Sequence, residues 1–505
     1  MSPQSDMDVD PQLARFWDET RLRANFVPAM AVTVAAAPVI QESWLAVSEV
    51  LALGYGERSG AVITKGKTVM RARTTPSAGA LYPFELLVAF RGATHYELYD
   101  YDVLGCCLQH VGQVETAALA ALSSPQDDGA AAEPPPDAVV AVVGRPWASM
   151  RKYGRRGYLY THLDGAHAAT NIALAAEEMG FSPVTRLRFD RHRAAELLGL
   201  LGRCREPQTL ITLTAPAVRP PVWGRTVANP FAVPIWRHVD GAPPEDPDEA
   251  EVAAWRSVRS ISAFHHEEIP RSYGSPRSVA AGGAEAVSSP VPLPGGGGEP
   301  PASRGFRDTV LDRRSAKGFR PEAVPGEDLG RVLARLREGG VIDSADGPRA
   351  ALRVLARAVD GIGAGAYGYD GEAHALRPVS GEVHADDAVV TACMSQEVVR
   401  GAAALLVLHS SMGPLLGARG RQGLAELHYH AASAAQRLCL GATEHGVGIT
   451  CLGGFDASRV AQLVRLDASE EVIYVLACGV PDENAVKWDR APIAYSHGRG
   501  PGQLP

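Results

Sequence analysis

Apolar and polar positions along this 505-residue chain fall into two kinds of run. Phe84–Phe90 (FELLVAF) and Ala138–Gly144 (AVVAVVG) are short, valine-rich and apolar, as are Ala404–Ser410 (ALLVLHS) and Val472–Gly479 (VIYVLACG). Runs of that length and β-branched content predict buried strands. Leu163–Met179 and Leu424–Glu444 are rich in alanine and leucine and long enough for about four or five turns, so they predict helices. Their almost unbroken apolar character predicts central helices rather than surface ones. The mixture predicts an α+β fold.

The pattern occurs twice. KYGRRGY…HAATNIALAAEEMGF…LRFD in the first half has a counterpart in ARGRQGL…SAAQRLCLGATEHGV…GGFD in the second. Asp190 and Asp456 are separated by 266 positions, and the same offset joins Phe189 to Phe455, Gly180 to Gly446, Leu174 to Leu440, Gly157 to Gly423, Arg155 to Arg421 and Gly154 to Gly420. Upstream, ELYDYD (97–102) corresponds to GAYGYD (365–370) at a slightly larger spacing. Glycines and apolar positions repeating in order indicate two diverged copies of one domain. The expected division is 1–233 and 305–505, with a Pro-, Gly-, Ser- and acid-rich linker over 234–304. Its end, SPVPLPGGGGEPPASR, cannot hold a helix or strand through the glycines, whereas EAEVAAWRSVRSISAFHHEEI can form one helix.

Charge and cysteine content narrow the class. With 49 Lys+Arg against 57 Asp+Glu the net charge is −8, which offers no basic field to collect phosphates, so nucleic acid is not an expected partner. Seven cysteines without a CxxC pair fit a reducing compartment, and the vicinal Cys106-Cys107 reads as buried filler. The uncharged run Phe26–Ile40 is too short to span a bilayer and is broken by Pro28 and Pro38. A soluble cytoplasmic protein with no membrane partner is expected.

Candidate chemistry sits in four motifs. In RTTPSAGALYPFEL (73–86), Pro76, Ser77, Ala78 and Gly79 make a tight turn of small side chains that lets a flat ligand approach the backbone, with Leu81 and Tyr82 leading to the strand. LDRRSAKGF (311–319) offers Arg313, Arg314 and Lys317 as positive charge and Ser315 as a hydroxyl donor for a phosphate. CLGGF (451–455) places Gly453 and Gly454 where backbone amides are accessible. RKYGRR (151–156) supplies Lys152 and Tyr153 among arginines that would favour a neutral amine or an acidified phenol. His162, His167, His428 and His430 read as helix residues rather than metal ligands, because no second cluster has metal-ligand spacing. No dinucleotide fingerprint is evident.

PSAGALYP followed by a strand, and then KYGxRGY, closely resembles the nitroreductase-like flavoprotein family, in particular its azoline dehydrogenases, over roughly residues 40–215 and 305–495. The resemblance implies two tandem nitroreductase-like domains forming a pseudo-dimer within one chain, with FMN as cofactor. It implies FMN contacts from Pro76, Ser77, Ala78, Gly79, Leu81, Tyr82, Arg313, Arg314, Ser315, Lys317, Gly453 and Gly454, with Lys487 and Arg490 returning to the phosphate. It implies that Lys152 and Tyr153 are catalytic, one of them removing the Cα proton of a thiazoline or oxazoline while hydride leaves to the flavin. Each copy lacks what the other kept: PSAGALYP faces SADGPRAA (344–351), Lys152-Tyr153 face Ala418-Arg419, and GGFD faces LRFD (187–190). One working FMN site and one decayed site are therefore expected. A heterocyclised precursor peptide is the implied substrate, and a cyclodehydratase assembly the implied partner. The alternatives are an NAD(P)H-dependent reductase of the same fold, a flavin-free scaffold in a biosynthetic complex, and an oxidase of carrier-bound thiazolines.

Overall fold

The structure, a computed structural model, describes residues 42–65, 68–103, 107–123, 134–215, 249–259, 289–294 and 305–485. The first half runs α1 (Glu42–Gly54), a hairpin β1 (Glu57–Lys65) and β2 (Thr68–Arg73), then β3 (Phe84–Arg91), β4 (His95–Asp102) and β5 (Cys107–Glu115). It continues through α2 (Thr116–Ser123), β6 (Ala138–Gly144), α3 (Pro146–Tyr153), α4 (Arg156–Glu178), β7 (Ser182–Arg186), α5 (Arg191–Leu197) and β8 (Glu206–Thr214). Between the halves lie α6 (Glu249–Arg259) and the two-residue strand β9 (Val291–Pro292). The second half holds α7 (Phe306–Asp312), β10 (Phe319–Arg320), α8 (Gly326–Ala334), β11 (Ala351–Ala356), β12 (Gly365–Asp370) and β13 (Ala375–Ser380). It ends with α9 (Asp386–Ala392), β14 (Ala404–Ser411), α10 (Met412–Glu444), β15 (Gly448–Leu452), α11 (Ala457–Leu463) and β16 (Glu470–Pro481).

Each half builds one antiparallel sheet, and the duplication shows in the strand order. The first sheet runs β5-β4-β3-β6-β8-β7 and the second β9-β13-β12-β11-β14-β16, with β15 and β10 both on β16. The 266-residue offset carries the start of β6 onto that of β14, and β7 onto β15. It also carries Asp190, which caps α5 by accepting from Arg193 N, onto Asp456, which caps α11 by accepting from Arg459 N. Gly154 (φ 57°) and Gly420 (φ 52°) adopt the same left-handed turn ahead of the central helices. A side chain would strain this conformation, so the glycine repeats with it.

α4 and α10 are the central helices. Buried Ala168, Ala169 and Ile172 of α4 and Ala431, Ala435 and Leu438 of α10 belong to one apolar cluster that also takes in Leu51 of α1 and Leu476 of β16. The halves thus share a core, as an obligate dimer would. The sheets' outer faces have separate cores, around Leu119 and Phe189 in the first half and around Leu405 and Phe455 in the second.

Three details depart from the sequence reading. α4 starts at Arg156, seven residues before the apolar run, because its first turns carry tyrosines that bury against neighbouring elements. Lys152 and Tyr153 close an eight-residue helix that the apolar pattern does not mark; Pro146 starts it without needing an N–H partner, and Gly154 ends it by donating to Met150 O. Val291–Pro292, the head of the proline- and glycine-rich run, pairs with Ala375–Leu376 as a sheet edge, the position where proline is tolerated in a sheet.

Candidate functional site

The PSAG segment is a single turn of 3-10 helix (Ala78–Ala80) clamped from below by α4. Ser77 Oγ donates to Asp164 Oδ2 at 2.6 Å and accepts from Tyr82 N at 2.8 Å, while Ala78 N donates to the same carboxyl at 3.1 Å. Ser77 therefore spends its donor on the protein, not on a ligand. Gly79, Ala80 and Tyr82 all have positive φ (62°, 54° and 46°). Two non-glycine residues in that region cost about 1–2 kcal/mol each, strain of a kind that clusters at functional sites. Burial pushes the Asp164 carboxyl up to about 7, against the Ser77 and Ala78 hydrogen bonds that pull it down. Pro76 is buried, and Leu81 and Tyr82 are half-buried at the turn's exit. Thr75 Oγ1, just before the turn, is buried without a hydrogen-bond partner among the described residues.

Over this turn lies the end of α3. A methyl group added at Gly79 would collide with the Tyr153 hydroxyl and come within 2.7 Å of Lys152 Nζ, so both functional groups rest on the glycine. Lys152 Nζ also sits 5.2 Å from the centroid of the Tyr153 ring. Two of the nearby arginines have other contacts. Arg151 Nη2 donates to Glu251 of α6 at 3.0 Å, and Arg156 lies over the rings of Tyr160 and Phe455. α6, from the segment read as linker, packs on α3: its Trp255 is buried with Trp147, Met150, Tyr158 and Cys204.

The second half approaches the same turn from two directions. Arg313 is buried, and its guanidinium donates to Thr74 O at 2.8 Å and Arg73 O at 3.2 Å, immediately before PSAG. It ties the halves together rather than standing open to a phosphate. The next residues are free of that commitment: Arg314, Ser315 and Lys317 are exposed on an extended stretch held along β15 by Ala316 N donating to Ile449 O. β15 is followed by Gly453, whose carbonyl accepts from the Tyr160 hydroxyl of α4, and the ring of Tyr160 stacks edge-on to Tyr153. Gly453 and Gly454 are half-buried. Turn, Lys-Tyr helix, double glycine and cationic stretch are thus joined through Arg313 and Tyr160. Lys487 and Arg490 lie outside the described residues.

At the pseudo-symmetric position the contents differ. Arg188, which aligns with Gly454, makes a two-pronged ion pair with Glu426 (2.7 and 3.0 Å) and reaches Asp346 at 2.7 Å. Glu426 aligns with Tyr160 and is fully buried; Gln422 Nε2 donates to it and to Leu187 O. Gly347, the counterpart of Gly79, has a Glu426 carboxylate oxygen 2.7 Å from where a Cβ would be. His430, the counterpart of Asp164, meets Ser344 Oγ at 3.2 Å and is lowered to about 4 by burial. The space over this turn is filled by the protein's own charges, so these residues do not fit a flavin.

Sequence reasoning missed Asp164, Tyr160 and Thr75. The signal for Asp164 was present: a carboxylate in an alanine-rich helix predicted to be buried needs a partner, and a turn of small polar residues was at hand.

Comparison with known proteins finds one family in both halves. The nitroreductase family model matches residues 60–213 and 310–480. A putative nitroreductase from Methanocaldococcus jannaschii is 29% identical over 133 residues, and the match spans 25% of this chain and 63% of that protein's length. A crystal structure of a putative nitroreductase from Anabaena variabilis superposes with a TM-score of 0.67, covering 94% of this chain and 97% of that one at 20% identity, which shows a shared fold over both copies. The Escherichia coli microcin synthetase McbBCD complex with truncated pro-MccB17 covers 43% of this chain at a TM-score of 0.28, a score from which no shared chemistry follows. With both of its halves matched by one family model, this chain belongs to the nitroreductase family.

Proposed function

We propose that this protein is an FMN-dependent azoline dehydrogenase, oxidising thiazoline or oxazoline rings of a heterocyclised peptide to thiazoles or oxazoles. Membership of the nitroreductase family supports a flavin-dependent oxidoreductase. The observation that carries the narrower reading is the convergence of Lys152 Nζ and the Tyr153 hydroxyl on Gly79 of the strained turn. A reductase needs no paired proton acceptor at that point; removal of a Cα proton does.

In this reading Arg314, Ser315 and Lys317 hold the phosphate, while the Ser77–Gly79 turn and Gly453–Gly454 border the ring. FMN bound there supplies a two-electron acceptor for hydride. The chain's own groups do the rest. Asp164 and Arg313 fix the turn, Tyr160 ties the double glycine to the Lys-Tyr helix, and Lys152 and Tyr153 take up and hold the proton. Whichever of the two receives it first, the other is an immediate neighbour that can share it. Bound FMN would be reoxidised by oxygen, and a cyclodehydratase partner would deliver the peptide. Because Arg188, Glu426 and Asp346 fill the other position, one FMN is bound per chain.

The test is mass spectrometry of a thiazoline-containing peptide incubated with the FMN-loaded protein. A loss of about 2 Da per ring is expected, and Lys152→Ala or Tyr153→Phe should slow it at least about tenfold while the flavin spectrum persists. No mass loss, together with rapid bleaching of the flavin by NADPH, would assign the protein to the reductases instead.

A further inference from the structure

We propose that Cys439 and Cys451 form an oxidisable dithiol, a site at which a small peroxide converts two thiols into a reversible disulfide. Cys439 lies on α10 and Cys451 on β15, and their sulfurs are 3.7 Å apart. Sulfurs already in contact need to close by only about 1.6 Å to reach a covalent S–S length of about 2.05 Å. The first copy has no such pair: Ala173 and Thr185 stand at the aligned positions. Like the other chemistry-bearing groups, the dithiol occurs on one side only.

Its surroundings polarise the pair. Gln436 Nε2 donates to Asn171 Oδ1 at 3.1 Å, so its Oε1 faces His167 Nδ1 at 2.9 Å and fixes the proton on that nitrogen. His167 Nε2 is then an acceptor; the Tyr474 hydroxyl meets it at 3.2 Å, and Cys451 borders the same imidazole and phenol. The contact with Cys451 holds the Cys439 thiol below its ordinary value against the opposing effect of burial, with a smaller contribution from the Arg313 charge, while that same contact and burial hold Cys451 well above it. Cys439 therefore ionises first; as residues, Cys439 is buried and Cys451 half-buried.

The reaction balances as follows. The Cys439 thiolate attacks one peroxide oxygen; an S–O bond forms, the O–O bond breaks, and water leaves after protonation. The Cys451 sulfur then displaces the hydroxyl from the resulting sulfenic acid, releasing a second water and forming the S–S bond. Two thiols lose two electrons and two hydrogens, and hydrogen peroxide is reduced to two waters. Peroxide is what reoxidation of a reduced flavin by oxygen would release beside this loop, but the site does not depend on that source.

The experiment adds hydrogen peroxide to the purified full-length chain, alkylates the remaining thiols and maps peptides by mass. Expected are a loss of about 2 Da, a linked peptide joining Cys439 to Cys451, and its disappearance on reduction. Cys439→Ala and Cys451→Thr, which install the residues of the first copy, should each remove the linked peptide. Full alkylation of both thiols after peroxide, or oxidation of either one singly to sulfinic or sulfonic acid, overturns the proposal. The wild-type map decides the question even where a variant folds poorly, and it does so whether or not the protein oxidises azolines.

Discussion

Replacing Arg188 by methionine tests whether the second position is held by an ion cluster in place of a cofactor. The substitution keeps an unbranched apolar stem and removes the guanidinium that grips Glu426 with two hydrogen bonds and Asp346 with one contact. Asp346 is 37% exposed, so its share is at most about 1 kcal/mol. Glu426 is 0% exposed and loses the guanidinium that pairs with it. Breaking a buried pair from one side costs about 3–5 kcal/mol, because the remaining charge stays buried. We expect Arg188→Met to lose about 3 kcal/mol in urea denaturation, and Arg188→Met with Glu426→Gln to regain about 2 kcal/mol of that, since the Gln422 amide can still serve a neutral partner. A single variant costing less than about 1 kcal/mol, or a double variant as unstable as the single one, would refute the reasoning.

Two other outcomes follow from the site itself. Asp164, pushed up to about 7 by burial, makes the folded state lose stability as pH rises from about 4 to about 7, by up to about 4 kcal/mol; thermal melts of Asp164→Asn should lack this slope, and an unchanged slope would place the titration elsewhere. Flavin absorbance against protein concentration should give one FMN per chain after loading with excess cofactor; a ratio near two would show that the position around Arg188 opens.

Much of the architecture was legible because it repeats. Buried strands announce themselves as valine runs, and central helices as alanine and leucine over several turns, so β3, β6, β14 and β16 fall where the pattern puts them. Glycines at constant offset exposed the duplication, since a left-handed turn such as those at Gly154 and Gly420 preserves its glycine while surrounding side chains diverge. What stayed hidden depended on contacts between distant segments. Nothing local in RRSAKGF distinguishes Arg313 from Arg314, yet one is buried on the Thr74 carbonyl and the other is exposed. Nor does EAEVAAWRSVR reveal that Trp255 will pack beneath the Lys-Tyr helix. Composition marked that segment as linker, and a linker can carry a helix that docks.

The filled second position also bears on how such an asymmetric pair persists. After a duplication, both interface positions start equal, and a flavin site left without flavin is a cleft in a shared core that destabilises the fold in proportion to its empty volume. Arg188 and Glu426 occupy that space with groups that satisfy one another, and Gln422 extends the network to the backbone at Leu187. Going back is obstructed from both directions. Arg188→Gly alone would strand a buried carboxylate, and Glu426→Tyr alone would set a large ring against an arginine that keeps its contact with the partly exposed Asp346. Either single step costs stability before any cofactor can be regained, whereas at the first position Tyr160 and Gly453 need no charge compensation at all. In the proposed reading the two halves are therefore held in unequal roles by the electrostatics of Arg188 and Glu426, and a single flavin site draws on motifs that neither half has by itself.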